Sequence, residues 1–529
     1  MYKYSIICLI VIAGCFPGNL LAKRFDVTQY GVIPDGKTLT TEKIQQVIDL
    51  CSKDGGEVYF PAGVYLTGSL ILKSNVSLYF ANGSILKGSQ SIEDYPLHGS
   101  SHSFAHDSLQ MRTLLLADSQ ENIVIKGSGT IDGSGQSADF SLQQKVRPVR
   151  PMVLRFIACK NITVEDIMLR QSPMWMQQYV ACENVRISGI NVYNHANRHN
   201  DGLDIVGCKN VIITGCNISS DDDAICFKTL SAATNENIIV ANNIVASNCN
   251  GIKIGTETRS AIKNFSISNN ILKPTEVFSE TWKRDIGIAG LAIESVDGAD
   301  VSDIIVSGLV IKGYYTPLFI RLGNRGRKFK ADDPKPAVGS IENISLTNIK
   351  GIAERPPEVV VSGIPGYKIK SIQLQNVTII AKGNGKTSHT AIPVPEAISD
   401  YPTPMMFGLY LPAYGMYFRH IKDLTLDNVK LSYLEQDERH AIVLSDVTNA
   451  WIDRLKCLSP ASNVSVFKIE NSQEIIIRNP FVDNSAQSFL EVVGKDSKHI
   501  ELEAKYLADI QELVRLDPEV DPQSISIIK

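Results

Sequence analysis

The chain has 529 residues, of which 44% are hydrophobic and 20% are charged, and this ordinary composition excludes a disordered chain, a collagen and a multi-span membrane protein. Its 52 lysines and arginines face 56 acidic residues, so the formal net charge is −4, without the basic excess typical of proteins that bind duplex nucleic acid. At roughly 150 residues per domain, the length alone predicts three or four domains.

The first 22 residues have the features of a secretory signal peptide. Lys3 makes the start weakly basic, residues 5–14 are apolar, and a plausible cleavage site ends at Ala22. A lipoprotein cleavage box at Cys15 is the alternative, which we rank second because the residues after it do not look like an exposed tether. We therefore predict export to the periplasm or the cell exterior. No later run reaches the roughly 18 apolar residues of a membrane span.

Residues 40–52 are predicted to form a helix that covers the first edge of the strands that follow. A threonine at position 40 or 41 can cap its start, and the apolar residues recur at helical spacing. These apolar residues form one face: Ile44, Val47, Ile48 and Cys51.

A repeat then runs through most of the chain. Each unit has a polar residue, often asparagine as at Asn122, Asn161 and Asn184, followed by an apolar-x-apolar triplet. Four consecutive intervals are 23, 26, 27 and 27 residues, the period of a solenoid. The leucine lattice of leucine-rich repeats and the 3.6-residue period of helical repeats are both absent from the sequence. We therefore predict an all-β fold, a single right-handed parallel β-helix over residues 23–529, and the expected domain count falls to one.

Because the coils of a β-helix stack, residues at equal phase in the repeat become neighbours. Aligning the repeats with one another gives a first column: Trp175, Asp201, Asp223 and Asn250, with Asp222 beside it. Three carboxylates on two adjacent coils repel one another, which raises at least one pKa. Paired carboxylates of this kind are typical of general acid–base hydrolysis of glycosides. The alternatives are an acidic surface ladder, turn chemistry or a calcium site.

A second column of the same alignment carries charges of both signs. It contains Lys228, Glu294 and Arg321. We predict that Glu294 and Arg321 pair on neighbouring coils, and that Lys228 and Arg321 bind carboxylates or hydroxyls of a substrate. A salt bridge on a solvated face is the alternative.

Three motifs at these columns carry a resemblance to a known family. They are Ser-Pro-Met-Trp at 172–175, His-Asn-Asp-Gly at 199–202 and Asp-Asp-Ala-Ile at 222–225. Over roughly residues 24–510 the chain resembles the polygalacturonase family of pectin glycosidases, glycoside hydrolase family 28, in particular its rhamnogalacturonan-hydrolase-like or exo-acting bacterial members. The resemblance implies a pectin-lyase-like solenoid and an inverting hydrolase that acts on a pectic oligo- or polysaccharide without cofactor or metal. We expect a monomer.

The resemblance also implies a role for each carboxylate. Asp222 would be the general acid, and Asp201 and Asp223 would activate the attacking water. Seven further residues are expected to bind the substrate: Trp175, His199, Lys228, Asn250, Lys253, Glu294 and Arg321.

The chain departs from the family pattern at three points. His199 stands where the family has asparagine, and Asn250 replaces a catalytic-site histidine, so that it can form hydrogen bonds but cannot titrate. The family's Arg-Ile-Lys, which grips a galacturonate on the leaving-group side, is Ala-Ile-Glu at 292–294. We therefore expect cleavage of α-galacturonosidic bonds between galacturonate and rhamnose, as in rhamnogalacturonan. Polygalacturonan is the alternative, because Arg321 or Lys253 can restore the missing charge.

Four long insertions exceed ordinary connections between strands, and we predict that they form walls across the substrate groove: 87–115, 272–290, 324–340 and 383–420. Such walls favour attack at chain ends.

Two other functions remain open. A polysaccharide lyase would need an arginine or lysine beside the acidic column, and the alignment puts none at the expected place. A non-catalytic carbohydrate-binding solenoid is favoured by the missing histidine.

Overall fold

The computed structural model describes the following residues: 23–102, 111–140, 150–328, 332–483 and 486–528. The predicted signal peptide and Cys15 lie outside the described residues, as do parts of the insertions at 87–115 and 324–340. Within the described ranges, 40 strands pair in parallel with the equivalent strands of the coils before and after them. The predicted all-β parallel β-helix is therefore confirmed. Among the described residues, no helix has both the length and the apolar character needed to cross a membrane.

The strands form three faces that run along the stack. The face that carries the candidate site, here called the site face, contains these strands: Leu70–Ile71, Thr113–Asp118, Met152–Ile157, Gln177–Val180, Leu203–Val206, Ile225–Thr229, Asn250–Thr258, Gly287–Ser295, Val359–Ser362, Phe467–Glu470, Ser488–Val493 and Glu512–Leu516. The face that carries the asparagine marker contains these: Arg24–Asp26, Gly56–Phe60, Val76–Phe80, Glu121–Lys126, Lys160–Glu165, Glu183–Ser188, Lys209–Thr214, Asn235–Ala241, Ile262–Ser268, Gln473–Arg478, Lys498–Glu503 and Ile525–Ile528.

The third face contains these strands: Asp35–Leu39, Gly63–Thr67, Ser84–Gly88, Thr130–Asp132, Met168–Arg170, Asn191–Asn194, Asn217–Ser220, Ile244–Ser247, Ile271–Lys273, Lys456–Leu458 and Phe481–Asp483. Five long strands pass from one face to another: Asp300–Leu322, Ser340–Ala353, Ile369–Ala381, Ala413–Tyr433 and His440–Asp453. Apolar side chains from all three faces meet in one core that extends from Phe25 to Val520.

The predicted N-terminal helix spans Thr41–Asp54, and the four residues of its predicted apolar face are all buried. Its predicted cap is not formed, because the Thr40 hydroxyl donates to the Leu66 carbonyl oxygen instead. The Thr41 hydroxyl accepts from the backbone N–H of Gly68. Both threonines therefore join the helix to the neighbouring coil instead of closing its own first turn. Six short 3-10 helices complete the described elements: Val27–Tyr30, Ile92–Asp94, Ala138–Phe140, Thr387–Ala391, Pro404–Phe407 and Pro522–Ser524.

The asparagine marker of the repeat has a structural cause in both its backbone and its side chain. Six marker asparagines adopt left-handed backbone conformations with φ between 56° and 60°: Asn122, Asn161, Asn184, Asn210, Asn237 and Asn264. Asparagine is one of the few residues that tolerate this region. From Asn161 onward, each side-chain amide donates to the amide oxygen of the preceding marker at 2.9–3.2 Å. The ladder fixes the phase of successive coils.

Replacing one rung of this ladder should separate the two causes. Asn210→Ala should lower the free energy of unfolding by about 2–4 kcal/mol, since it removes two side-chain hydrogen bonds and since alanine tolerates the left-handed region less well than asparagine does. Asn210→Gly should be milder by about 1 kcal/mol, because glycine adopts that region freely. Chemical denaturation of the three proteins measures both effects. Equal destabilisation by the two variants would contradict the backbone part of this explanation.

Stacking confirms the phase alignment that the sequence predicts. Leu203 pairs with Ile225, and Ile225 with Ile252, so Asp201, Asp223 and Asn250 occupy one column. The second column is also in register, since Glu294 pairs directly with Arg321.

Candidate active site

A pocket of about 140 Å³ lies on the site face above the first column. It is lined by these residues: Trp175, His199, Asp201, Asp222, Asp223, Lys228, Leu230, Lys253, Thr256, Glu257, Arg327 and Tyr401. Seven of the ten predicted site residues are among them. The other three, Asn250, Glu294 and Arg321, lie behind the wall of the pocket or further along the stack.

Two buried asparagines hold the turn that presents Asp201. The Asn194 amide donates to the backbone carbonyl oxygens of Met174 and Asp201, each at 3.1 Å. The Asn200 amide donates in turn to Asn194 Oδ1 at 3.2 Å. Buried amides with these partners fix the backbone on both sides of the strand ends, so Asp201 enters the pocket from a rigid support.

His199 is positioned by Arg150. Arg150 Nη2 lies 2.9 Å from His199 Nδ1, and the same guanidinium donates to the backbone carbonyl oxygen of Arg198 at 2.7 Å. Because a guanidinium can only donate, His199 Nδ1 is the acceptor and the ring proton is on Nε2. Arg150 therefore fixes the orientation in which the His199 ring enters the pocket.

Lys228 lies between two carboxylates of the preceding coil. Its ammonium is 3.4 Å from Asp201 Oδ2 and 2.7 Å from Asp204 Oδ1, and it lies 4.7 Å from the centre of the Trp175 ring. Asp204 is fully buried, and the sequence reasoning missed it. A charged residue inside the otherwise apolar strand Leu203–Val206 was the available signal. Burial and the adjacent Asp204 raise the pKa of Asp201, while Lys228 opposes that shift.

Asp223 is held as a carboxylate by two partners on the next coil. Asn250 Nδ2 donates to Asp223 Oδ1 at 2.6 Å, and Lys253 Nζ donates to Asp223 Oδ2 at 3.1 Å. Burial acts to raise the pKa of Asp223, but the ammonium groups of Lys253 and Lys228 outweigh it and the net shift is downward. Asn250 therefore acts on Asp223 directly in this structure, although it does not line the pocket.

Asp222 differs from its neighbour in both exposure and protonation. It is half-buried, whereas Asp201 and Asp223 are buried. Burial and the adjacent charge of Asp223 raise the pKa of Asp222 to about 6. Its backbone carbonyl oxygen accepts hydrogen bonds from the hydroxyls of Ser220 and Ser247, at 2.8 and 2.6 Å. The two adjacent carboxyls thus have pKa values that are shifted apart, as in an acid–base pair.

The predicted ion pair between Glu294 and Arg321 is wrong. The residues are in register, but Arg321 is fully buried and donates to Ser362 Oγ and to the carbonyl oxygen of Gly363. Its other terminal nitrogen donates to two carbonyl oxygens of the 383–420 insertion, at 2.7 and 3.0 Å. Full burial also removes Arg321 from contact with a substrate. The Arg321 guanidinium thus donates to carbonyl oxygens on other segments and not to the carboxylate on the adjacent strand.

Glu294 is buried and its Oε2 accepts no hydrogen bond from the described residues. Burial raises the pKa of Glu294 to about 8, although the nearby Lys253 ammonium acts in the opposite direction. Near neutral pH the group is therefore mainly a neutral carboxylic acid behind the pocket wall.

Two of the long insertions supply pocket residues that are not among the ten predicted site residues. Tyr401 comes from the 383–420 insertion, and its hydroxyl accepts from Thr256 Oγ1 at 3.0 Å. Arg327 comes from the 324–340 insertion and pairs with Glu257 at 3.0 Å. The insertions were predicted as walls, but they have no repeat phase from which individual contacts could be read.

The alignment puts no arginine or lysine at the place where a lyase would need one, but the structure does bring two lysines to the acidic column. Lys228 and Lys253 both contact the carboxylates. A lyase base must be able to lose its proton, however, and the carboxylates raise the pKa of both lysines well above the ordinary value against the effect of burial. The lysines therefore remain protonated as fixed cations. Neither can act as the base of a β-elimination, and this disfavours a lyase.

Two carboxyls and a thiol beside the pocket are close enough together to be candidate ligands for a metal ion. Asp222, Asp223 and Cys249 could each place one ligand atom within 4.8 Å of the others. Burial raises the pKa of the Cys249 thiol, so it is a neutral and poor ligand, and the Lys253 ammonium already neutralises Asp223. This set therefore does not fit a bound cation well.

Comparison with known proteins agrees with the geometry. Residues 96–399, more than half of the chain, match the sequence profile described as Glycosyl hydrolases family 28. "Probable polygalacturonase" of Vitis vinifera is 27% identical over 406 residues, covering 72% of this chain and 79% of that protein. "Exopolygalacturonase" of Cochliobolus carbonum is 28% identical over 320 residues, covering 57% and 69%.

A solved structure, that of Yersinia enterocolitica Family 28 Exopolygalacturonase, has the same fold. Its TM-score is 0.62 at 17% identity, over 81% of this chain and 78% of that one. The resemblance found in the sequence is confirmed by the profile match. The protein is a glycoside hydrolase, and it belongs to glycosyl hydrolases family 28.

Proposed function

We propose that the protein is an inverting hydrolase that removes galacturonate from the ends of pectic oligosaccharides. The observation that carries the proposal is the pair Asp222 and Asp223. One carboxyl is half-exposed in the pocket with a raised pKa, and the other is kept ionised by Lys253. Walls contributed by two insertions, which bring Tyr401 and Arg327 to the pocket, support attack at a chain end.

In the proposed reaction, neutral Asp222 donates its proton to the glycosidic oxygen as the bond to the anomeric carbon breaks. Asp223 accepts a proton from the water whose oxygen bonds to that carbon from the opposite face. One proton thus enters the leaving sugar and one leaves the water, so the charges balance. Asp201, whose charge is shared with Lys228, is a second acceptor for the water. Arg327, whose side chain is 49% exposed, lines the pocket and supplies positive charge for the galacturonate carboxylate, while Lys228 lines the same pocket with its charge shared between Asp201 and Asp204.

For the bond attacked, we favour galacturonate linked to rhamnose, as in rhamnogalacturonan fragments. Support comes from the positions where the family has a cation pair. Ala292 is fully buried beside Lys253 on the next coil, and Glu294 is a buried carboxyl, so neither offers positive charge to a second uronate. Arg321, the proposed substitute, is bonded to backbone carbonyls instead.

Hydrolysis of homogalacturonan is the second candidate. It is favoured by the names of the relatives, which are polygalacturonases, and by Lys253, which lines the pocket and carries a positive charge. The two candidates differ in the sugar next to the cleaved galacturonate.

Incubation with two matched series of oligosaccharides tests the proposal. Each series carries a terminal galacturonate, linked either to rhamnose or to galacturonate, and the products are separated by anion-exchange chromatography. We expect release of monomeric galacturonate from both series, with the higher kcat/KM on the rhamnose-linked series. Faster release from the oligogalacturonates would favour the second candidate, and internal cleavage would contradict end attack.

The pKa values predict a bell-shaped dependence of kcat/KM on pH. Activity should fall above about pH 6 because Asp222 loses the proton that it must donate. It should also fall at acid pH as Asp223 gains a proton, and this limb should lie below the ordinary carboxyl value of 3.8. Initial rates at subsaturating substrate across this range measure both limbs. A profile that stays flat far above pH 6 would contradict the assignment of Asp222 as the acid.

A further inference from the structure

The 383–420 insertion is fixed to the coils at several points by buried polar groups. At its start, the Gly385 N–H donates to Asp437 Oδ2 at 2.8 Å. Near its end, Arg439 donates to the carbonyl oxygens of Leu411 and Ala413, at 3.1 and 3.0 Å. Arg439 is fully buried and is itself paired with Asp437. Both ends of the insertion are thus bound to one buried ion pair.

The middle of the insertion is anchored by two further arginines. Arg321 donates to the carbonyl oxygens of Glu396 and Ala397, and Arg419 donates to that of Val394 at 3.0 Å. The Glu396 carboxylate pairs with Arg419 and also lies 3.0 Å from His420 Nε2. Buried hydrogen bonds to this many carbonyl oxygens keep the backbone of the loop rigid. The residues that follow the anchored segment are therefore held in place as well.

Tyr401 follows directly after these anchors. Its hydroxyl accepts from Thr256 Oγ1 at 3.0 Å and from Lys253 Nζ at 3.4 Å. The residue is nevertheless 55% exposed and lines the same pocket as Asp222 and Asp223. The hydroxyl is therefore tethered while much of the ring remains open to the pocket. An aromatic ring held in this way offers a flat apolar surface at little cost in conformational entropy.

The cations around this ring already have partners. The Lys253 ammonium, 5.7 Å from the ring centre, is bound to Asp223. The Arg325 guanidinium, 5.9 Å from the ring centre, is bound to Asp297. A second uronate carboxylate placed here would compete with these ion pairs and would lie close to the Asp223 charge. An uncharged sugar with an apolar face would neither compete with these ion pairs nor be repelled by the Asp223 carboxylate.

We propose that Tyr401 is a specificity-determining residue that packs its ring against the sugar on the leaving-group side and selects a neutral 6-deoxy sugar over a uronate. This inference rests on the proposed hydrolase function. Arg321 is a positioning residue for the same contact, since its guanidinium holds the backbone four to five residues before Tyr401.

The test compares Tyr401→Ala, Tyr401→Phe and a control, Tyr506→Ala, on the two matched oligosaccharide series. Tyr506 is similarly exposed, at 51%, and lies near the last coils. Tyr401→Ala should lower kcat/KM about tenfold on the rhamnose-linked series, mainly through KM, and should leave the galacturonate-linked series much less affected. Tyr401→Phe should lie between Tyr401→Ala and the wild type, because it keeps the ring but loses the hydroxyl that tethers it, and the control should match the wild type.

Arg321→Lys provides the corresponding test of positioning. It should reduce the discrimination between the two series in the same direction through KM, while the pH profile of kcat stays unchanged. A changed pH profile, or an equal loss on both series, would overturn the positioning role.

Binding separates failure of this inference from failure of the proposed function. Titration calorimetry with the uncleaved rhamnose-linked oligosaccharide should show about tenfold weaker binding to Asp222→Asn/Tyr401→Ala than to Asp222→Asn alone. Equal binding, or an equal loss on both series in the kinetic test, would overturn the role of Tyr401. If the wild type cleaves neither series but binding still depends on Tyr401, the proposed function fails, the assignment of Tyr401 to the leaving-group side fails with it, and only its contact with the sugar remains.

Discussion

Replacing Asp222 with asparagine should lower kcat on pectic oligosaccharides by about a hundredfold to ten-thousandfold, because the variant has no proton to give to the leaving oxygen. KM should change little, since asparagine has the same size as aspartate. In the wild type, Asp222 Oδ1 accepts a hydrogen bond from the backbone N–H of Asp223 at 3.0 Å, and the amide oxygen of asparagine can accept the same bond. Steady-state kinetics on the preferred oligosaccharide measure both constants.

The same substitution should leave the fold intact. The folded-state pKa of Asp222 is raised from 3.8 to about 6, so ionisation of this group costs free energy in the folded protein. The wild type therefore loses free energy of unfolding as the pH rises through this range, and Asp222→Asn does not. Above pH 6 the variant should be at least as stable as the wild type in thermal denaturation.

Asp221→Asn is the matched control, one residue earlier in the same acidic run. Asp221 does not line the pocket, and it accepts from the Asn248 amide at 3.0 Å, which an asparagine oxygen can also do. This variant should retain nearly all of the activity. If Asp222→Asn were as active as the control, the acid would have to be another group. Unchanged action on pectin would also favour a non-catalytic carbohydrate-binding solenoid.

Lys253→Met should destabilise the protein by about 3–5 kcal/mol at pH 7, because it leaves the buried carboxylate of Asp223 without its cation. Methionine has a similar length, so the loss of packing is small. Activity should also fall, since the pKa of Asp223 rises and less of it is ionised as the base. The acid limb of the pH profile should move upward for the same reason. Denaturant titration and rate measurements test the two effects separately.

The stability loss should depend on pH in a defined direction. The folded-state pKa of Asp223 lies below its ordinary value of 3.8, so its contribution to stability is present above that value and is lost as the pH falls through the folded pKa. The difference between wild type and Lys253→Met should therefore be largest near neutral pH and should shrink in acid.

Lys263→Met is the matched control for this prediction. Lys263 is 42% exposed and lies 3.5 Å from Glu236, so it forms the same kind of pair at the surface. Surface pairs of this kind contribute about 0–1 kcal/mol, and the control should lose no more than that. Equal destabilisation by both variants would show that burial of the Asp223–Lys253 pair has no special effect.

The columns of the site could be predicted from sequence because coil stacking is periodic. Once the repeat is aligned, the ladder at Asn184, Asn210 and Asn237 keeps each coil in phase, and equal phase becomes proximity. Asp201 and Asp223 meet for this reason alone. The type of each side chain then restricts the chemistry, since adjacent carboxylates cannot all remain ionised without cations.

The remaining parts of the site depend on contacts that have no period. Tyr401 reaches Thr256 across 145 residues of sequence, through a loop whose path is determined by buried arginines. Arg321 shows the related difficulty with long side chains. Register placed it beside Glu294, but its guanidinium extends to carbonyl groups on another segment. The phase of a residue in the repeat predicts the position of its Cα atom. It does not predict the position of the charged group at the end of a long side chain.

Proton NMR of the first turnovers, recorded during digestion of a galacturonate-terminated oligosaccharide, distinguishes inverting hydrolysis from retention and from elimination. With Asp222 as acid and Asp223 as base, water attacks the α-linked anomeric carbon from the opposite face, so the released galacturonate should appear first in the β-anomeric form. The α anomer appearing first would contradict inversion, and an olefinic proton signal from an unsaturated sugar would contradict hydrolysis.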